Sequence, residues 1–297
     1  MRVALVTCDA ARDHDEDLPL LARALGARGA AAELPSWDDP SVPWTAFDAV
    51  VLRSPWNYMD RHEAFLAWVR ATAAVAPLWN PPDLVAWALD KRYLADLAAA
   101  GVPTVPTAFA APGEDVAIPD GQVVVKPSVG AGSMDALRFG DPDAARTHVA
   151  RLHATGRTAM VQPYLEGVDA LGETGLVHVD GRLTHAFRKG PMLAGPREVV
   201  GGIYLEEDIS AREPTAAERA LAAATLAAVP GPVPLYARVD VVPGPGGDPV
   251  VLELELVEPS LFVALAPAAA DAFAEAVTAR IAEIRRSATT GGAPSSR

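Results

Sequence analysis

The sequence predicts an α/β domain followed by two α+β segments, and three observations lead to this fold class. Two short apolar runs near the N-terminus are each followed by a helical pattern, which is the order of a parallel α/β unit. From residue 122 onwards the signals change to strands and hairpins with single helices between them. Half of the 297 residues are hydrophobic, so the chain can bury a substantial core.

The N-terminal unit is predicted from two strand-and-helix pairs. Residues 2–7 and 47–52 are mostly apolar runs typical of strands buried on both faces. Residues 18–28 and 62–75 have helical spacing, and Gly29 is expected to end the first of these helices. Parallel packing of the two strands follows.

Breaks in the pattern divide the rest of the chain. Residues 78–82 interrupt it, and Asp83 is expected to cap a helix that contains Trp87. Further helices are predicted at residues 90–101, 144–153, 216–229 and 268–284. The resulting segments are 1–88, 89–160, 161–287 and a flexible tail at 288–297.

Charge and cysteine content exclude several classes of partner and site. The formal net charge is −13, whereas nucleic acids and anionic membranes are bound through a basic surface. Cys8 is the single cysteine, so internal disulfides and cysteine-rich metal sites are excluded and a cytoplasmic location is expected. The first apolar run is soon followed by acidic and basic residues, which argues against a signal peptide or membrane span.

Lysine occurs at only three positions, while arginine supplies the rest of the 25 basic side chains. Lys91, Lys126 and Lys189 therefore suggest places where a compact ammonium is needed, and polyphosphate is one ligand that suits it. The alternative is a coding bias that leaves three ordinary surface lysines.

The strongest local motif is an apolar strand that ends in Lys126 and leads into a glycine-containing loop. Such a loop can fold over phosphate, because glycine lets backbone N–H groups approach oxygen atoms closely. The P-loop pattern and the dinucleotide-binding fingerprint are both absent, and a plain β-turn is the alternative. The candidate phosphate-binding residues are Lys126, Ser128, Gly130, Gly132 and Ser133.

Two neighbouring strands, residues 235–242 and 249–257, are predicted to form an antiparallel hairpin with acidic side chains on one face. Alternation places Arg238 with Asp240, and Glu253 with Glu255. If the two faces coincide, three carboxylates meet, which favours Mg²⁺ or Mn²⁺ among them. The alternative is a solvated outer face of the sheet.

The segment between these motifs suits an adenine ring. Backbone groups at residues 162–165 can hydrogen-bond the base, and an acidic side chain can bind ribose. A hairpin that turns at Asp180 and Gly181 then delivers Lys189. The candidate nucleotide-binding residues here are Gln162, Tyr164, Leu165, Glu166, Glu173 and Lys189.

The order of these features resembles the ATP-grasp superfamily over nearly the whole chain. The resemblance implies a Rossmann-like N-terminal domain and two α+β lobes that clamp ATP. It implies that Lys91 and Lys126 bind phosphates, that residues 162–165 bind adenine, and that Asp240, Glu253 and Glu255 bind magnesium. Glutathione synthetase-like members have Asn in the position of Glu255, so this chain has an additional negative charge there.

Within that superfamily the N-terminal domain looks like the group that contains the D-cycloserine-forming ligase. The likeness lies in Trp37-Asp-Asp-Pro40, in residues 53–58 (Arg-Ser-Pro-Trp-Asn-Tyr) and in Asp90-Lys-Arg-Tyr-Leu94. That group has Arg-Ser-Thr-Trp-Asp-Tyr at the second motif, so Pro55 and Asn57 depart from it in a loop expected to face the substrate.

The resemblance implies a reaction in which ATP phosphorylates a carboxylate and a nitrogen then attacks the acyl phosphate. In a cyclo-ligase of antibiotic biosynthesis one molecule, O-ureido-D-serine, supplies both groups and D-cycloserine is the ring product. Lys126 and Arg238 are the catalytic candidates, since both can stabilise developing negative charge. The substrate-side candidates are Arg53, Ser54, Tyr58, Arg238 and Ser260.

Other functions stay open at this point. An intermolecular amino acid or peptide ligase would use the same clamp on a carboxylate and a separate amine. A small-molecule kinase would release ADP without phosphate, and a non-catalytic ATP-binding protein would show no turnover. A Rossmann dehydrogenase is disfavoured because the segment after the first strand is acidic where a glycine-rich loop belongs. A homodimer is the expected assembly.

Overall fold

The computed structural model describes residues 1–132, 134–193, 199–200 and 204–290. Three sheets and eight helices make up most of this part of the chain, together with one short isolated strand pair. The predicted combination of an α/β unit with α+β segments is confirmed. None of the helices in the described residues is long and apolar enough to cross a membrane.

The N-terminal sheet is parallel, as predicted, but has four strands. They are β1 (Arg2–Thr7), β2 (Ala31–Glu33), β3 (Ala49–Ser54) and β4 (Leu78–Trp79), arranged in the order β2-β1-β3-β4. The two predicted strands, β1 and β3, form the centre, where helices cover both faces of continuously apolar strands. The two edge strands are too short to give a sequence pattern.

Four helices occur in the first 100 residues, each after a strand of this sheet or after the preceding helix. They are α1 (Asp17–Ala27), α2 (His62–Ala73), α3 (Pro82–Leu89) and α4 (Tyr93–Ala99). Gly29 and Gly101 follow two of the helices with positive φ angles of 74° and 84°. The predicted capping role of Asp83 is wrong, because Pro81 holds the capping position and Asp83 already lies inside α3.

The central sheet is antiparallel and has its own small core. Its strands are β5 (Ala108–Ala110), β6 (Val123–Pro127), β7 (Leu137–Phe139) and β8 (Ala159–Pro163), in the order β5-β8-β6-β7. Helix α5 (Pro142–Ala154) packs on it and is capped by the Asp141 side chain. Val125, Val149 and Leu152 belong to a cluster that contains residues of this lobe alone.

The C-terminal sheet has five antiparallel strands and forms the floor beneath the site. It contains β9 (Glu173–Val179), β10 (Arg182–Lys189), β13 (Ile209–Ala211), β14 (Tyr236–Pro243) and β15 (Pro249–Glu255), in the order β13-β10-β9-β14-β15. The predicted turn between β9 and β10 is confirmed by positive φ angles of 51° at Asp180 and 74° at Gly181. The remaining elements are α6 (Gly167–Leu171), the strand pair β11 (Val199–Val200) and β12 (Tyr204–Leu205), and α7 (Ala216–Ala227).

The last helix, α8 (Pro267–Thr290), returns to the N-terminal domain and packs against α1. It extends past the predicted start of the flexible tail at residue 288, and residues 291–297 lie outside the described part. Phe273 and Val277 share one apolar cluster with Leu5 of β1 and Tyr236 of β14. The first and last parts of the chain therefore share a core, and Met160 of β8 joins the central sheet to a second cluster that contains residues of both.

Candidate active site

A cavity of about 500 Å³ lies between the central sheet, the C-terminal sheet and the ends of the N-terminal strands. Most of the residues singled out in the sequence line it, although they come from distant parts of the chain. They are Tyr58, Lys91, Lys126, Gly130, Gly132, Gln162, Tyr164, Leu165, Glu173, Lys189, Arg238, Asp240, Glu253, Glu255 and Ser260. A cavity lined by clustered cations and carboxylates is the natural candidate for an active site.

Two of the predicted substrate residues do not line this cavity. Arg53 is fully buried at the end of β3, where its Nη2 donates to the Pro259 carbonyl oxygen at 2.5 Å and its guanidinium lies over the Tyr236 ring. Ser54 is equally buried and donates its hydroxyl to Thr7 Oγ1 at 2.8 Å. Both side chains are bound to neighbouring segments of the protein and do not face the cavity.

Two of the predicted nucleotide-binding residues, Ser128 and Glu166, are not on the cavity wall either. Ser128 is 2% exposed. Its carbonyl oxygen accepts a hydrogen bond from Lys91 N, and its N–H donates one to the Thr158 carbonyl oxygen. Glu166 is exposed at the start of α6. Ser133 lies outside the described residues.

Glu253 is held between two of the three lysines. Lys91 Nζ lies 3.1 Å from Glu253 Oε1, and Lys126 Nζ lies 3.2 Å from Glu253 Oε2. Burial opposes the charged carboxylate, but the two ammonium groups outweigh it and hold the pKa of Glu253 well below its ordinary value. Glu253 is therefore charged at neutral pH, and it lies in a cavity large enough to admit an anionic ligand.

Lys189 occupies the end of β10, directly opposite Glu173 on β9. Its Nζ lies 2.7 Å from Glu207 Oε1. Burial lowers the pKa of Lys189, but the carboxylates of Glu207 and Glu173 more than offset this and leave it above the ordinary value. Burial raises the pKa of Glu173 in the same place. Lys189 is thus surrounded by carboxylates, those of Glu207 and Glu173, that are different from the carboxylate shared by Lys91 and Lys126.

The register of the β14–β15 hairpin confirms that its two polar faces coincide. Arg238 is paired with Glu255, and Asp240 is paired with Glu253. Cationic side chains lie between the carboxylates that this register brings together. Arg238 donates to Asp240 Oδ1 at 2.9 Å and to Glu255, while Glu253 binds the two lysines. Ion pairing reduces the like-charge repulsion among these carboxylates.

These carboxylates have the oxygen ligands that suit a divalent cation. Among the described residues, no three acidic, histidine or cysteine side chains are gathered closely enough to hold a metal ion. Burial raises the pKa of Glu255 to about 8, since Asp240 and Glu253 add repulsion that Arg238 does not offset. The charged form of Glu255 is therefore disfavoured without a further cation, and a divalent cation beside it would stabilise that form, so the oxygen donors fit a cation that binds together with an anionic ligand.

The glycine loop and the segment after β8 form the opposite wall. Gly130 offers its carbonyl oxygen to Lys91 Nζ at 2.6 Å, and Gly132 has a positive φ of 61°. Leu165 and Tyr164 follow β8 directly and reach the cavity, with Tyr164 N bonded to the Gln122 carbonyl oxygen at 2.7 Å. The glycine loop and the segment after β8 therefore line the same cavity as the three lysines.

Sequence reasoning missed two acidic residues that the structure makes prominent. Glu258 lines the cavity three positions after Glu255, and its Oε1 accepts a hydrogen bond of 2.5 Å from the Tyr58 hydroxyl. Asp17 accepts hydrogen bonds from three consecutive backbone N–H groups at residues 261–263. Glu258 could have been predicted as a site residue, because it follows shortly after Glu253 and Glu255 of β15. The sequence around Asp17 contains nothing that indicates its hydrogen-bond partners.

Comparison with known proteins identifies close relatives. The family profile for the N-terminal domain of the D-cycloserine synthetase DcsG matches residues 3–80. The cycloserine biosynthesis protein DcsG of Streptomyces lavendulae is 42% identical over 296 residues, which cover 94% of this chain and 98% of that protein. The crystal structure of D-cycloserine synthetase DcsG superposes with a TM-score of 0.86 at 39% identity, covering 95% of this chain and all of the other.

A more distant structure shows how far the fold extends. The ATP-grasp ligase PsnB, solved with a phosphomimetic variant of its minimal precursor, Mg and ADP, has a TM-score of 0.61 at 17% identity. The match covers 94% of this chain and 98% of PsnB. The predicted ATP-grasp fold is confirmed.

Proposed function

Since the chain belongs to the family of the D-cycloserine synthetase DcsG and is an ATP-dependent ligase with the ATP-grasp fold, we propose that it closes O-ureido-D-serine, or a near analogue, into a ring. The reaction would form the C–N bond within one molecule through an acyl phosphate and release ADP and phosphate. The proposal rests on one arrangement above all, the two lysines, Lys91 and Lys126, that share Glu253 in the cavity.

The three nucleotide-facing parts of the cavity suggest how ATP binds. The backbone at residues 162–165 would take the adenine ring, and Glu173 would lie towards the ribose. Lys91, Lys126 and the loop at residues 130–132 would bind the phosphates. Because the lysines are already paired with Glu253, the phosphates would compete with a carboxylate for both ammonium groups.

Magnesium is the cofactor that the donor set fits, with manganese as a substitute. Asp240, Glu253 and Glu255 would hold it, and it would supply positive charge to offset the negative charge of the phosphates. Glu253 would then turn from the lysines towards the cation while the lysines bind phosphate. This exchange keeps every buried charge paired.

Arg238 is placed to stabilise negative charge on the acyl group. Its guanidinium is 4% exposed and is fixed by Asp240, Glu255 and the Ser260 carbonyl oxygen, the last at 3.0 Å from Nη1. A cation held this firmly needs little reorganisation when the oxyanion forms, which is how electrostatic catalysis lowers a barrier. Tyr58 and Ser260 border the same part of the cavity and are proposed to contact the substrate.

The test is release of ADP and free phosphate from Mg-ATP with a panel of substrates, with products identified by mass. We expect turnover with O-ureido-D-serine alone, with one ring product for each ADP. Turnover that requires a second amino acid would instead assign an intermolecular ligase. ADP without phosphate would indicate a kinase, and ATP binding without turnover across the panel would contradict the proposal.

A further inference from the structure

The segment at residues 258–260 is fixed to the rest of the protein through three consecutive carbonyl oxygens. Trp56 Nε1 donates to the Glu258 oxygen at 3.1 Å, Arg53 Nη2 to the Pro259 oxygen at 2.5 Å, and Arg238 Nη1 to the Ser260 oxygen at 3.0 Å. These donors come from the N-terminal domain and from β14, so they clamp the segment from two sides. A side chain on this segment is held in place far more firmly than one on an ordinary loop.

Glu258 is the acidic side chain on this segment, and it faces the cavity. The Tyr58 hydroxyl donates to its Oε1, and Tyr58 is itself locked by stacking on Phe65 with ring centroids 4.8 Å apart. Both members of the pair therefore have fixed positions. The second carboxylate oxygen of Glu258 has no hydrogen bond among the described residues and can receive a proton or a ligand N–H.

The charges around Glu258 leave it in a different state from its neighbours. Within the described part of the chain Glu253, Asp240 and Glu255 each form an ion pair, whereas Glu258 forms none. The charged and titratable groups facing it are Tyr58, Lys91, Glu253, Glu255 and Arg238. Burial raises the pKa of Glu258 to about 7, with Glu253 adding to the effect and Tyr58, Lys91 and Arg238 opposing it. A carboxylate in that range can both accept and return a proton near neutral pH.

Ring closure needs such an acceptor. The nitrogen next to oxygen in the ureido group attacks the acyl carbon, the bond from carbon to the phosphate oxygen breaks, and phosphate leaves with the electron pair. The nitrogen also loses its proton, while the carbamoyl group stays attached to it in this step. Building on the proposed function, we propose that Glu258, held by Tyr58, is the base that takes this proton.

Tyr58 itself is excluded as the base. Burial and the adjacent Glu258 raise the pKa of its hydroxyl well above the ordinary value, so it stays protonated. Lys91 is charged through its pairing with Glu253 and has no lone pair to offer. Unlike Tyr58 and Lys91, Glu258 combines a free acceptor oxygen with a position on the cavity wall, and unlike Glu255 it forms no ion pair among the described residues.

The test separates formation of the acyl phosphate from ring closure. Glu258→Gln and wild-type enzyme are given Mg-ATP and O-ureido-D-serine with and without hydroxylamine, which attacks acyl phosphates without needing a base. We expect the variant to form ring on the order of 10² to 10⁴ times more slowly. With hydroxylamine present, ADP release and hydroxamate formation by the variant should stay within about threefold of wild type.

Two results would overturn the assignment. If Glu258→Gln forms the ring at the wild-type rate, Glu258 is not needed as a base. If the variant forms neither hydroxamate nor ring and its KM for the substrate is raised, Glu258 binds the substrate instead. Failure of the wild-type enzyme to make any ring would count against the proposed function instead, so the two failures are distinguishable.

Tyr58→Phe provides a second measurement that does not depend on how well Glu258→Gln folds. The hydroxyl of Tyr58 lowers the pKa of Glu258, so its removal should raise that pKa while the stacked ring is kept. The acidic limb of the pH profile of kcat/KM should therefore move to higher pH. An unmoved limb would overturn the pairing of Tyr58 with the base.

Discussion

At the scale of single residues the site depends on carboxylates and cations that satisfy one another. Lys91 and Lys126 share Glu253, Arg238 joins Asp240 to Glu255, and Lys189 is paired with Glu207. An enzyme that binds phosphate and metal must exchange these pairs for ligand contacts. Since an unpaired buried charge is costly, a charged side chain in this site can leave its partner only when a ligand or another side chain replaces that partner.

The exchange predicts the effect of two substitutions. Lys126→Ala and Glu253→Gln should each reduce kcat/KM by 10² or more, because one lost contact to developing charge is worth ~3 kcal/mol. Lys126→Ala should keep the wild-type unfolding midpoint to within a few degrees, whereas Glu253→Gln should stay folded with a lower midpoint, because it leaves two buried ammonium groups without their carboxylate. Steady-state ADP release and a thermal melt check this, with exposed Arg146→Ala as control. Wild-type ADP release by either variant would contradict the assigned roles.

Several residue assignments could be made from sequence because a strand fixes them locally. Alternation puts Arg238 and Asp240 on one face of β14 and Glu253 and Glu255 on one face of β15, and the register of the hairpin makes the two faces coincide. Arg53 was misplaced because a strand pattern gives the end of β3 but not the carbonyl oxygen, at Pro259, that the side chain reaches. Long-range partners of this kind are set by packing of whole elements and leave no local signal.

At the scale of elements, one carboxylate connects the start of α1 to the segment beside the cavity. Asp17 accepts from Leu261 N at 2.6 Å, Phe262 N at 3.1 Å and Val263 N at 2.8 Å. Phe262 has a positive φ of 50°, a backbone conformation that needs such support. The substrate end of the cavity therefore depends on a residue of the N-terminal domain.

Asp17→Ala should destabilise the protein by on the order of 3 kcal/mol, because it leaves buried N–H groups without an acceptor. It should also raise KM for the small substrate more than KM for ATP, since Ser260 and Phe262 line the cavity. Urea unfolding and steady-state kinetics measure both effects. Asp13→Ala, an exposed aspartate of the same loop, is the matched control. Equal urea midpoints for the two variants would refute this role.

Elements with a strong period were predicted well, and short ones were not. The central strands β1 and β3 and helices α2 and α5 agree with the apolar patterns. Strands β2 and β4 have three and two residues, too few for alternation to appear, and their pairing comes from the neighbouring strand. The predicted segment boundary after residue 160 falls inside β8. This strand belongs to the central sheet and leads directly into Tyr164 and Leu165 on the cavity wall.

At the scale of the whole molecule, burial of acidic groups in the cavity links stability to pH. Burial raises the pKa of Glu258 to about 7 from the ordinary 4.5, so the folded state keeps a proton that the unfolded chain releases. Stability should therefore fall as pH rises from about 4.5 to 7, by up to about 3 kcal/mol from this group. Glu258→Gln should lessen this fall.

Urea unfolding of both proteins without metal or nucleotide, at intervals between pH 5 and 8, measures the difference. The variant should gain stability relative to wild type as pH rises across this window. Parallel pH profiles for the two proteins would show that Glu258 is not a buried acid in the folded state.

The central claim is that ATP phosphorylates the substrate carboxylate. Substrate carrying ¹⁸O in both carboxylate oxygens tests this directly when the released phosphate and the ring product are analysed by mass. The account predicts one ¹⁸O atom in each phosphate and one in each ring. Unlabelled phosphate formed alongside the singly labelled ring, with the other ¹⁸O released to water, or AMP and pyrophosphate in place of ADP and phosphate, would contradict it.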